Sequence, residues 1–153
     1  MLVILRARKG AAELYDLRSA LFALAGRLLA PIIDSQELAT LEDLLAQMET
    51  AAAAGDLDAY YPLNLRFHRA ILELSGNARL LSAHQNSVRE LHLFRRSALV
   101  SKERMKSSNL EHKAIFKVLK ARDAAKAFQL MQDHVLGAKA RVLREASSNS
   151  AAH

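Results

Sequence analysis

Apolar residues recur along this chain at helical spacing from one end to the other. Leu14, Leu17, Leu21, Leu24 and Leu28 step by three or four and predict a first helix from about Glu13 to Ala30. Pro31 ends it, because proline disfavours helix at the residue before it. Leu38, Leu41, Leu45 and Met48 mark a second helix, capped at its start by Asp34 or Ser35 and closed by Gly55. Asp56 caps a third, whose stripe is Leu57, Tyr60, Phe67, Ile71 and Leu74, with Pro62 about one turn in. Ser75-Gly76-Asn77 reads as a turn. A fourth helix follows over about Ala78 to Leu99. The fifth starts near Ser101 or Ser107 and runs to Ala121, with Leu110, Ile115, Val118 and Leu119 as core positions. Asp123 caps the sixth, carrying Ala127, Leu130, Met131, Val135, Ala138 and Val142. No strand pattern competes. The fold class is all-α, an antiparallel bundle of six (six to seven) helices whose short loops make sequential helices neighbours.

Composition strengthens this picture. Of 153 residues 51% are hydrophobic, with only 5 Gly and 2 Pro, and Trp is absent. One domain with a sizeable core fits that length. With no cysteine, disulfides and thiolate zinc sites are excluded. The net charge of +6 comes from 22 Lys and Arg scattered among 16 acids. That describes a solvated basic surface rather than a nucleic-acid stripe. The apolar opening Met1 to Leu5 is too short for a signal-peptide core or a membrane span. A cytoplasmic protein with no membrane partner is expected.

Four polar residues interrupt the apolar stripes. Asn64 and His68 lie four apart on the third helix and so share a face. His112 lines up with Ile115 and Leu119 on the fifth helix, and His134 with Leu130, Met131 and Ala138 on the sixth. A single buried histidine is more often a hydrogen-bonded core residue than a ligand. Three on the inward stripes of separate helices point to a polar site inside the bundle. Imidazole is the commonest protein metal ligand, so a divalent metal is the first chemistry to consider. His84 and His92, on the polar fourth helix, read as surface or pocket-rim residues, and His153 lies in the tail.

The motifs resemble a known family. Glu13-Leu14-Tyr15-Asp16-Leu17-Arg18-Ser19-Ala20-Leu21 is similar to the first effector-domain helix of FadR-type regulators. Tyr60-Tyr61-Pro62-Leu63-Asn64-Leu65-Arg66-Phe67-His68, then Ser75-Gly76-Asn77, Glu111-His112 with Ile115, and Met131-Gln132-Asp133-His134 follow in the same order. The stretch from about residue 10 to 146 thus resembles the FCD effector-binding domain of GntR-superfamily transcription regulators, in its shorter, VanR-like variety. The resemblance implies a central ligand cavity, a homodimer, and a small carboxylate effector held beside a divalent metal, zinc or nickel first, manganese or iron next. It implies Asn64, His68, His112 and His134 as metal ligands, with Asn64 standing where most members have Asp and so removing one negative charge. Arg18, Arg89 and Arg96 are the residues it suggests for the effector carboxylate, since the guanidinium fork is bidentate. Leu91, Leu93 and Phe94 are suggested for dimer contact. Residues 1–12 read as a linker remnant, 13–146 as the effector-binding and dimerisation domain, and 147–153 as a disordered tail. DNA would be bound only through an N-terminal winged helix-turn-helix that this chain lacks.

Other classes fit less well. A di-iron bundle enzyme would need Glu-x-x-His pairs, which do not occur. Glu111 and Asp133 are adjacent to His112 and His134 and so point away from them as general bases. A haem bundle would use two axial histidines and leave the third without a role. A ligand-free scaffold would have its histidines bonded to backbone and its cavity filled.

Overall fold

A computed structural model describes residues 2–150 and contains six helices: α1 (Leu2–Leu29), α2 (Ser35–Ala54), α3 (Leu57–Leu74), α4 (Ala78–Ser97), α5 (Lys102–Lys120) and α6 (Ala124–Ser150). The punctuation is the one that local chemistry dictates. Asp34 accepts from the Glu37 backbone N–H at 2.8 Å and Glu37 reaches back to the Asp34 N–H at 2.9 Å, a complete capping box. Asp56, Asn77, Ser101 and Asp123 cap α3 to α6 with the first half of that pattern, the side chain accepting the backbone N–H three residues on. Gly55 (φ 71°) ends α2 in the left-handed region that glycine adopts without strain.

The helices form an antiparallel bundle, but not every sequential pair is side by side. The terminal helices α1 and α6 make the most extensive contact, α2 packs on α3 and α5, and α1 also packs on α4. The pairs α1/α2 and α4/α5 make no substantial contact. Gly26 explains how closely α1 approaches α6: a Cβ there would sit 2.2 Å from the Met131 sulfur. α3 touches α1, α2, α4 and α5, so a side chain on its inner face is surrounded on several sides.

Five expectations change. α1 begins at Leu2, so the segment read as a linker is helical, and α6 extends to Ser150, with Ala151 to His153 outside the described residues. Leu2, Val3 and Leu5 are exposed, so no apolar stripe announces that first stretch; its Leu, Arg, Ala and Lys are simply good helix formers. On α1 the buried face is Tyr15, Arg18, Phe22, Ala25 and Leu29, whereas Leu17 is 50% exposed and Leu14, Leu21, Leu24 and Leu28 flank the face half-buried. Leu110 is 67% exposed, because Asn109 and His112 occupy the inner face of α5 instead. Leu91 is fully buried and therefore no dimer surface, while Leu93 is exposed and Phe94 packs against the core from the side. No helix of the described residues is long and apolar enough to cross a membrane.

Candidate functional site

His68 on α3, His112 on α5 and His134 on α6 converge in the bundle. Their Nε2 atoms form a triangle with edges of 3.0, 3.1 and 3.2 Å. All three are buried, and Phe22 and Phe67 wall the imidazoles, with ring centroids 4.6 Å from His68 and 5.0 Å from His112. Burial pushes the His68 and His112 pKa values well below the ordinary imidazole value, and neighbouring histidines and arginines push the same way. His134 is also lowered, burial outweighing the opposing pull of Glu111. Near neutral pH the three rings are therefore uncharged.

The outward nitrogens assign the tautomers. His134 Nδ1 donates to Glu111 Oε2 at 2.5 Å, which leaves the His134 Nε2 lone pair facing the triangle. Burial works to raise the Glu111 pKa, but the bonds from His134 and Arg141 win and hold its carboxyl low. His112 Nδ1 lies 3.4 Å from the Tyr60 hydroxyl. His68 differs: Arg18 Nη2 and Arg95 Nη2 both donate to its Nδ1, at 3.1 and 3.3 Å. Guanidinium has no acceptor, so neutral His68 carries its proton on Nε2, inside the triangle.

Arg18 and Arg95 are the electrostatic anomaly. Each is about 4% exposed or less, yet among the described residues neither meets a carboxylate. Burial, and for Arg18 the Arg95 charge, lowers their pKa values. Beside them lies a cavity of about 20 Å³, lined by Tyr15, Arg18, Asn64, His68, Arg95 and His134 among others. That is room for one water or ion. Four buried polar atoms of its walls have no partner: Tyr15 Oη, Arg18 Nε, Asn64 Oδ1 and Arg141 Nε. A second, larger cavity of about 410 Å³ opens between α3 and α4, and His68 and Arg95 line both.

The FCD domain family model matches residues 13–137, most of the chain. The chain belongs to the FCD domain family. Among solved structures, E. coli McbR/YncC superposes with a TM-score of 0.80 at 18% identity, over 87% of this chain and 67% of that one. Streptococcus agalactiae GntR superposes with a TM-score of 0.74 at 24% identity, over 87% of this chain and 59% of that one. Both share the fold. Curated protein sequences offer no match.

The donors of this FCD domain fit a divalent ion. His134 presents its Nε2 lone pair as it stands, and His112 and His68 can do so with the proton on Nδ1, which for His68 means moving it from Nε2; a metal–nitrogen distance of about 2.1 Å suits a triangle of this size. The unpartnered Asn64 amide oxygen borders the same chamber as His68 and His134. Glu111 on His134 is the kind of outer carboxylate that fixes a ligating imidazole.

The remaining residues fall in different places. Arg18 lies inside the site, as described. Arg89 is exposed at the mouth of the larger cavity. Arg96 lines neither cavity; it pairs with Asp58 and lies over the Tyr61 ring. One residue earlier, Arg95 points inward. It continues the buried stripe Leu80, His84, Ser87 and Leu91, a helical period that contained the signal. His84 is on that stripe too, buried with Nε2 unpartnered and lining the larger cavity, so it is a pocket residue and not a surface one. His92 is exposed beside the Tyr61 hydroxyl, 3.1 Å away. Glu111 does point away from His112, but reaches His134 on the next helix.

Proposed function

We propose that this chain is the effector-binding domain of a GntR-type transcription regulator, sensing a small organic acid beside a divalent metal. The observation that carries the reading is the pair of buried guanidiniums without a carboxylate, set against three imidazoles. A buried unpaired cation is costly, and an anion that enters the site removes that cost. Asn64 sharpens the need, since three imidazoles and an amide leave the charge of a divalent ion uncompensated. His68, His112, His134 and Asn64 would hold the ion, which when bound supplies Lewis acidity toward the effector carboxylate.

The chain's own residues couple the two events. To present its Nε2 lone pair, His68 must carry its proton on Nδ1. Arg18 and Arg95 can then no longer donate there. Both forks turn toward the cavities, where a carboxylate can accept from them, and Arg89 adds positive charge at the mouth of the larger one. This makes the arginines the element with two arrangements that ligand binding biases. In a dimeric regulator the same bias would reach DNA-reading domains attached ahead of residue 13. Residues 1–12 would link to them, 13–146 would form the sensing and dimerising unit, and the protein would work in the cytoplasm. The geometry does not favour a hydrolase, because Glu111 is held by His134 and Arg141 and is not free to act as a base.

Calorimetric titration with a panel of organic acids, before and after chelation, tests the reading. At least one acid is expected to bind, and to lose tenfold or more in affinity when metal is stripped. Affinities identical with and without metal would overturn the metal-assisted part. Binding of a matched amine in preference to every acid would overturn the whole.

A further inference from the structure

We infer that the effector is a monocarboxylate with an apolar body, and that this body lies in the cavity between α3 and α4. The inference rests on the organic-acid reading above and adds the chemical class and the place.

The small chamber of about 20 Å³ cannot take an organic acid, whereas the 410 Å³ cavity is of ligand size. The two meet at His68 and Arg95, both buried. The fully buried polar side chains of the larger cavity are these two and His84. Arg95 donates only to a histidine, and the neighbouring His84 Nε2 is buried without a partner. Burial together with the positive charge of Arg18 and Arg95 brings His84 down to about 2, so it is a neutral ring able to donate one hydrogen bond. A single carboxylate satisfies both groups.

Most of the remaining buried wall is aliphatic: Leu65 and Leu72 face it from α3 and Leu81 and Val88 from α4, with half-buried Gln85 among them, while Arg69, paired with Glu73, and Arg89 are exposed at its edge. A citrate-like or sugar acid carries hydroxyls or further carboxylates along its length. Gln85 can satisfy one such group, but the others would lose water against the aliphatic side chains without gaining a partner, and unpaired buried polar groups are strongly disfavoured. An alkyl or aryl body gains from the same burial. Arg89, exposed at the rim, attracts the anion without having to be desolvated.

The test is isothermal titration calorimetry of the metal-loaded full chain with 4-phenylbutanoate, its neutral amide, and citrate. Val88→Trp, which fills the cavity from a half-buried wall, is titrated beside it, and Leu65→Glu, which sets a negative charge there, is the second variant. Circular dichroism and metal content report folding and the histidine site independently. The expected result is 4-phenylbutanoate binding at least tenfold tighter than either the amide or citrate, and at least tenfold weaker in whichever variants stay folded with metal retained. Tighter citrate binding, or 4-phenylbutanoate affinity unchanged in the folded variants, would overturn the inference while leaving the organic-acid sensor standing. Absence of binding by every acid to the metal-loaded protein would overturn both.

Discussion

Replacing Arg18 and Arg95 together by methionine should make the protein more stable, by about 1–4 kcal/mol in urea unfolding, while abolishing its response to organic acids. The ordinary expectation for changing two fully buried residues is the opposite. Burying a guanidinium costs several kcal/mol, and the one hydrogen bond each makes to His68 Nδ1 returns about 1–3 kcal/mol. The two share that acceptor and repel each other, so their costs do not cancel. Methionine keeps the volume and fills irregular space. Because both residues act on one atom, the single variants should not be additive. A double variant several kcal/mol less stable than wild type would show that the guanidiniums are already well paired within the fold, and the case for an anion would fall with it.

Acidification should unfold the metal-free protein between about pH 6.5 and 5. Four histidines, His68, His84, His112 and His134, have folded pKa values below the ordinary one, in each case first because of burial. The sign follows from linkage. These groups are neutral in the fold and take protons on unfolding, so the stability present above the unfolded pKa of about 6.5 is lost as pH falls through it. A histidine that stays neutral in the fold from pH 7.5 to 5 removes about 2 kcal/mol over that range. Several acting together approach the whole stability of a typical domain, about 5–15 kcal/mol. Glu111, held low, loses its contribution in the same direction at still lower pH. Denaturant midpoints at pH 7.5 and pH 5.5 check this, and equal midpoints would mean that the imidazoles are protonated in the fold.

Much of the bundle was legible in the sequence, and for identifiable reasons. Asp34, Asp56, Asp123 and Gly55 are local signals, read correctly because a cap depends on its own few neighbours. The stripes of α2, α3 and α6 were clear because large aliphatic and aromatic side chains line one face. On α1 the leucines misled, since the innermost face carries small residues and an arginine between Tyr15, Phe22 and Leu29. The histidine triangle was foreseeable from inward periodicity on three helices. Arg95 was not, because charge was read as a sign of exposure while its spacing from Leu91 and His84 said otherwise. Glu111 was set aside by a test confined to its own helix, and its partner stands on another. Periodicity assigns a face to each residue; only the packing of α5 against α6 says what that face meets.

The most direct measurement is the metal content of the purified, untagged protein by elemental mass spectrometry, after supply of nickel, manganese, iron and zinc in turn. A His68→Ala/His134→Ala variant is measured beside it. The account predicts about one equivalent of a divalent ion in wild type and none in the variant. Wild-type protein that stays metal-free through every supply would contradict it, and would leave the three imidazoles as a hydrogen-bonded lining closed by the proton on His68 Nε2.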